Sequence, residues 1–103
     1  MGKNRSLGAL GNRIGNVVVH KMLAKYTNRP ESIEHLRKEE DEYRKGVIKE
    51  SKKYHWNEKE KEELKYIAMK FFINRNVAKY NEILFPQKEV EDCIDEEIKK
   101  LEL

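Results

Sequence analysis

The chain has 103 residues, the size of one small domain. Hydrophobic residues make up 38% and charged residues 40%, against usual values of roughly 45–50% and 25%. That composition allows one modest core and leaves little room for a deep enzymatic pocket. No apolar run exceeds three residues (17–19 and 71–73), which excludes a membrane-spanning helix, and the single cysteine, Cys93, excludes an internal disulfide and suits an intracellular chain.

Charge is distributed unevenly. Residues 1–30 contain Lys3, Arg5, Arg13, Lys21, Lys25 and Arg29 without one acid, a charge of +6. The other 16 basic residues and all 19 acidic ones follow, so residues 31–103 carry −3. Four of the five glycines, Gly2, Gly8, Gly11 and Gly15, also lie in the first 15 residues. Glycine loses the most backbone entropy on ordering, which predicts an extended, flexible basic arm over 1–15 ahead of a helical domain at 16–103.

The first predicted helix covers about residues 16–26, with Asn16 as N-cap and Val18, Met22 and Tyr26 recurring every four residues. Asn28-Arg29-Pro30 ends it. Pro30 suits the first turn of a second helix, with Glu31 and Glu34 at its positive end. Ile33, Leu36, Tyr43, Val47 and Tyr54 give that helix a thin apolar seam, and Glu40 and Glu50 stand where the seam would be completed. Gly46 weakens it by about 1 kcal/mol relative to alanine.

Asn57 and Glu60 have capping-box spacing and open a third helix. One stripe of that helix is Leu64, Ile67, Ala68, Phe71 and Phe72; a neighbouring one is Ile73, Val77, Tyr80, Ile83 and Leu84, with a possible break near 74–76. Pro86 opens the last helix, in which Val90, Ile94, Ile98 and Leu101 form the apolar side with Cys93 alongside. Glu89, Glu91 and Asp92 early and Lys99 and Lys100 late complement its dipole. The expected fold is all-α: a small domain of three or four helices behind a basic, glycine-rich N-terminal arm.

A mobile cationic arm neutralises phosphates and releases counterions without a prior geometry. The leading expectation is therefore an RNA-binding structural protein, a component or associate of the ribosome or another ribonucleoprotein. Lys3, Arg5, Arg13, Lys21, Lys25 and Arg29 would contact phosphates of structured RNA, ribosomal RNA above all. Gly8, Gly11 and Gly15 would permit close approach. Neighbouring proteins of the same assembly are expected as further partners. The alternative is a helical protein–protein adaptor working through the second helix, whose seam is flanked by dense mixed charge. A third reading, membrane-surface binding through Gly2 and Ser6 of a myristoylation-like start and an interfacial 16–26 helix, ranks lowest, and no membrane partner is expected.

Catalysis is not expected, nor is a cofactor, metal or small-molecule substrate. No phosphate-binding glycine loop with a following Lys-Ser or Lys-Thr is present. Glu31, His35 and Glu39 share a helix face, but on so glutamate-rich a helix a surface ion pair is the simpler reading. Acids around Cys93 raise a thiol pKa rather than activating it. The expected location is cytoplasmic. Abundant Lys and Glu with one glutamine, Gln87, lean toward a thermophilic source.

Overall fold

The structure, a computed structural model, describes residues 2–27, 29–79 and 85–101, and within its third helix the side chains up to residue 75. Four helices make it up: α1 (Gly2–Tyr26), α2 (Pro30–Ser51), α3 (Glu58–Lys79) and α4 (Gln87–Lys100). Among the described residues there is no strand, so the fold is all-α.

Residues 2–15 depart from expectation. They are not an extended arm but the first four turns of α1, which runs through Asn16 without a cap or break. Leu7, Leu10, Ile14 and Val17 recur at three- and four-residue steps and are all buried. Val18, Met22 and Leu23 continue into the same core, which also removes them from any interfacial role at a membrane. Four glycines handicap α1 by roughly 4 kcal/mol of helix propensity. Its eight buried Leu, Ile, Val and Met side chains return well over about 10 kcal/mol of apolar burial. Burial wins.

The same glycines explain how closely the helices meet. A Cβ on Gly11 would stand 2.5 Å from Cγ2 of Ile67, and one on Gly15 would stand 2.9 Å from both the Ala68 carbonyl oxygen and Cβ of Phe71. Glycine is therefore required where α1 crosses α3, while Gly8 has open space around it. The close approach expected toward phosphates is made toward a neighbouring helix.

Partners along α1 fix the topology. Gly11 and Gly15 meet Ile67 and Ala68 in ascending order, so α3 runs parallel to α1. Arg13 lies across Gly46 and His20 reaches Glu39, so α2 is antiparallel. Lys21 faces Glu96 and Lys25 faces Glu89, so α4 is antiparallel too. The Cα trace of α2 approaches α1 but neither α3 nor α4, whereas α1 touches all three other helices. The most basic segment of the sequence is the central element.

Other elements follow the sequence closely. Pro30 occupies the first turn of α2. Asn57 and Glu60 make the reciprocal capping box: the Glu60 amide donates to Asn57 Oδ1 at 2.8 Å and the Asn57 amide donates to Glu60 Oε1 at 2.9 Å. Trp56 is buried just before it and donates from Nε1 to the Ser51 carbonyl at 2.9 Å. Leu64, Ala68, Phe72, Val90, Cys93, Ile94 and Ile98 are buried as the stripes predict. Three details differ. Helix α2 stops at Ser51, so Tyr54 lies in the following turn, and α3 continues unbroken past residue 76. Phe71 is only half-buried, and Ile73 is 50% exposed. Tyr80, Ile83, Leu84 and the Val77 side chain lie outside the described residues, as does Asn28.

Candidate functional site

Three of the six basic residues expected on RNA, Lys3, Lys21 and Lys25, are paired with the protein's own acids, while Arg5, Arg13 and Arg29 are exposed. Lys3 Nζ stands 3.0 Å from Glu60 Oε1 and 5.7 Å from the centre of the Trp56 ring. Lys21 faces Glu96 at 3.7 Å, and Lys25 is paired with Glu89. The Tyr26 hydroxyl also donates to Glu89. Arg13 lies over Gly46, beside the buried carboxylate of Glu50. Arg5 and Arg29 are exposed. Gly11 and Gly15 are covered by α3, and Gly8 is half-buried. The nine residues are thus strung along one helix and its end rather than gathered at one place.

Electrostatics agree with the geometry. Hydrogen bonds from Lys25 and Tyr26 hold the Glu89 carboxyl below the usual carboxylate range, and the same contact raises the Lys25 ammonium. The Asn57 amide, and after it Lys3, lowers Glu60. For Glu50, burial pushes upward, but Lys53 and Ser6 hydrogen bonds together with Arg13 outweigh it and the carboxyl ends lowered. The acid-free block forms a cationic central helix whose lysines pair with single acids of α3 and α4, Glu60, Glu96 and Glu89. Individual exposed pairs of this type contribute little, about 0–1 kcal/mol each, but together they match α1 to its surroundings.

One arginine joins helices whose backbones do not meet. Arg44 donates from Nε to Glu97 Oε1 at 3.0 Å and from an Nη to Glu40 Oε2 at 2.7 Å, linking α2 to α4. Glu97 is 4% exposed and Glu40 is buried. Burial lowers the guanidinium pKa, yet the two carboxylates raise it further. The positions where Glu40 and Glu50 complete the apolar seam are buried as their spacing indicates, with cations bound to them.

The histidines and the cysteine form no reactive centre among the described residues, where no three His, Cys, Asp or Glu side chains converge as a metal site would need. Glu39 receives both His35 Nε2 at 2.6 Å and the buried His20 Nε2 at 2.8 Å, while His20 Nδ1 donates to the Asn16 carbonyl at 2.8 Å. The His35–Glu39 surface pair is the one the sequence suggests; its link to His20 on α1 was not foreseen. Cys93 is buried, and that burial pushes its thiol up to about 11.

Comparison with family models, curated proteins and solved structures finds no match.

What the sequence reading missed lies where α1 begins and α2 and α4 end. Between α2 and α4 runs an apolar slot of about 40 Å³, floored by Ile14 and Val17 and walled by Val47, Ile48 and Leu101, with Arg44, Glu97 and Lys100 at its edge. It continues into an open hollow of about 420 Å³ bordered by Ile48, Ser51, Lys52, Tyr54, His55, Trp56, Lys100 and Leu101. Ile48 is 40% exposed and Tyr54 38%. Lys49, Lys52, Lys99 and Lys100 are all exposed on the two helix ends. A signal for it was present: two helices each closing on lysines beside one apolar residue. Lysine in a last turn also complements the helix dipole, which hides such a site in sequence.

Proposed function

We propose that this chain is a small helical adaptor that binds another protein, and that catalysis has no part in its role. The observation that supports this reading is the pairing of Lys3, Lys21 and Lys25 on α1 with the protein's own acids, which leaves fewer free cations there for RNA. Large apolar side chains meanwhile stand out of an otherwise closed core: Tyr43, Ile48, Tyr54, Tyr66 and Ile73 are each at least 38% exposed. Such groups on a small charged protein suit contact with a partner. Among the described residues no helix is long and apolar enough to cross a membrane.

RNA docking is the second reading, and exposed Arg5 and Arg29 with the lysines at the α2 and α4 ends favour it. Sedimentation of a native-host lysate on sucrose gradients separates the two, with the protein located by mass spectrometry. Under the adaptor reading it migrates in a complex that survives ribonuclease and dissociates under conditions that separate proteins. Release by ribonuclease, or by high salt together with ribosomal subunits, would overturn the adaptor reading in favour of RNA.

A further inference from the structure

We infer that the slot and hollow between α2 and α4 form a docking groove for an acidic amphipathic helix of another protein. The inference rests on the adaptor reading and names the chemistry of its partner.

The groove exists because of how the helices are matched in length and position. Helix α4 has 14 residues and lies against α1 and α3, whereas α2 has 22 and lies against α1 alone. Their backbones stay apart, and Arg44 bridges them to Glu97 at one level only. Beyond that bridge the floor is α1 and the walls carry Ile48 and Leu101, which border both the slot and the hollow. The slot and the hollow therefore adjoin at Ile48, Lys100 and Leu101, the slot being the narrow apolar part.

Charge selects the occupant. Lys52 and Lys100 border the hollow, and Lys49 and Lys99 stand exposed beside them. Among the described residues, Glu50 and Glu97 beside these lysines are buried and already bound, by Lys53 and by Arg44 and Lys100. On the α3 side of the same end, Glu58 and Glu60 are paired with Lys61 and Lys3. The rim is cationic and the groove apolar. A helix with leucines on one face and glutamates flanking them satisfies both, leucines against Ile48 and Leu101 and carboxylates toward the lysines. A phosphate backbone offers the rim its charge but nothing for the apolar slot, and the exposed rings bordering the hollow are the adjacent Tyr54 and His55, a small stacking platform for a single strand.

The test uses the purified full chain and three fluorescent probes: a helical peptide of Glu, Ala and Leu with leucines on one face, the same peptide with Ser for Leu, and a short RNA. Binding is read by anisotropy at about physiological salt, and the site by NMR shifts. The leucine peptide is expected to bind and to shift Ile48, Tyr54, Lys100 and Leu101. Lys52→Glu combined with Lys100→Glu, and separately Ile48→Asp, should each weaken it about tenfold or more. Tyr66→Ser, exposed on α3 and outside the groove lining, should change nothing. Melting curves confirm that each variant is folded, and Lys49→Glu with Lys99→Glu serves as a second rim variant away from the slot. Equal binding of the serine peptide, shifts confined to other surfaces, or no binding at all would overturn the groove assignment while leaving the sedimentation result for the adaptor untouched. RNA binding on the same lysines without peptide binding would overturn both.

Discussion

Helices α1 and α2 form by opposite means. Of the 25 residues of α1, twelve are buried; of the 22 of α2, four are. Helix α1 carries four glycines and three successive valines, poor helix formers, and exists because its neighbours cover it. Helix α2 is rich in Glu, Lys and Arg, good helix formers linked by i,i+3 and i,i+4 pairs, and it needs only one companion. Propensity therefore ranks the two in the wrong order of importance. The least helical sequence on local grounds holds the centre, and the most helical one lies at the edge.

The most severe way to break this contrast is to delete residues 2–15. Removing Leu7, Leu10 and Ile14 takes the middle out of the core, and circular dichroism should show loss of cooperative melting altogether. A truncated chain that still melts cooperatively near the original temperature would show that these turns are dispensable.

Next in size is Arg44→Met. The change strands the buried carboxylates of Glu40 and Glu97, which should cost about 3–5 kcal/mol in urea unfolding. Adding Glu97→Gln should recover part of the loss.

A pair of alanine substitutions sharpens the contrast within α1 itself. Gly15→Ala should destabilise by about 1–3 kcal/mol, because its Cβ meets the Ala68 carbonyl and Phe71. Gly8→Ala has open space and should stabilise by about 0.5–1 kcal/mol through higher helix propensity. Equal effects at the two sites would contradict the close α1–α3 crossing.

The smallest expected effect concerns pH. The carboxyls of Glu50, Glu60 and Glu89 are all held below 4.5 in the fold. Their contribution is present above about pH 4.5 and is lost as pH falls through the lowered values, so the melting temperature should decline in acid and less steeply at high salt. At the other end, the Cys93 thiol is raised from 9.0 to about 11, so its contribution is complete below pH 9 and is lost as pH climbs through 11. A melting temperature unchanged in acid would show that the pairs around α1 are electrostatically idle.

Much of the fold was legible, and its failures have a common origin. The capping box at Asn57 and Glu60, Pro30 at a helix start and the α4 stripe are local signals, written within a few residues of where they act. Even Glu40 and Glu50 were placed correctly on the seam, and the cations bound to them, Arg44 at i+4 and Lys53 at i+3, are local as well. The N-terminal segment was misjudged because the conformational cost of its glycines is local while the compensation is distant: Ile67, Ala68 and Phe71 lie more than 50 positions along the chain. The Leu7, Leu10, Ile14, Val17 spacing was the countersignal. The charge asymmetry was read as a set of phosphate contacts; three of its six cations, Lys3, Lys21 and Lys25, have acidic partners within the same molecule. The groove went unread because no single helix contains it, and the lysines that close α2 and α4 read equally well as dipole partners.

The isolation of α2 sets the order in which the molecule opens. Helix α2 can detach by breaking its α1 interface and the Arg44–Glu97 link, whereas α1 cannot leave without losing its contacts with all three other helices. Amide protons of α2 should accordingly exchange with solvent through a partial opening, well before those of α1, which must await global unfolding. The groove wall that carries Ile48 belongs to the part that lifts away first, so an occupant bridging α2 and α4 would act as a clasp, slowing exchange along α2 far more than along α1.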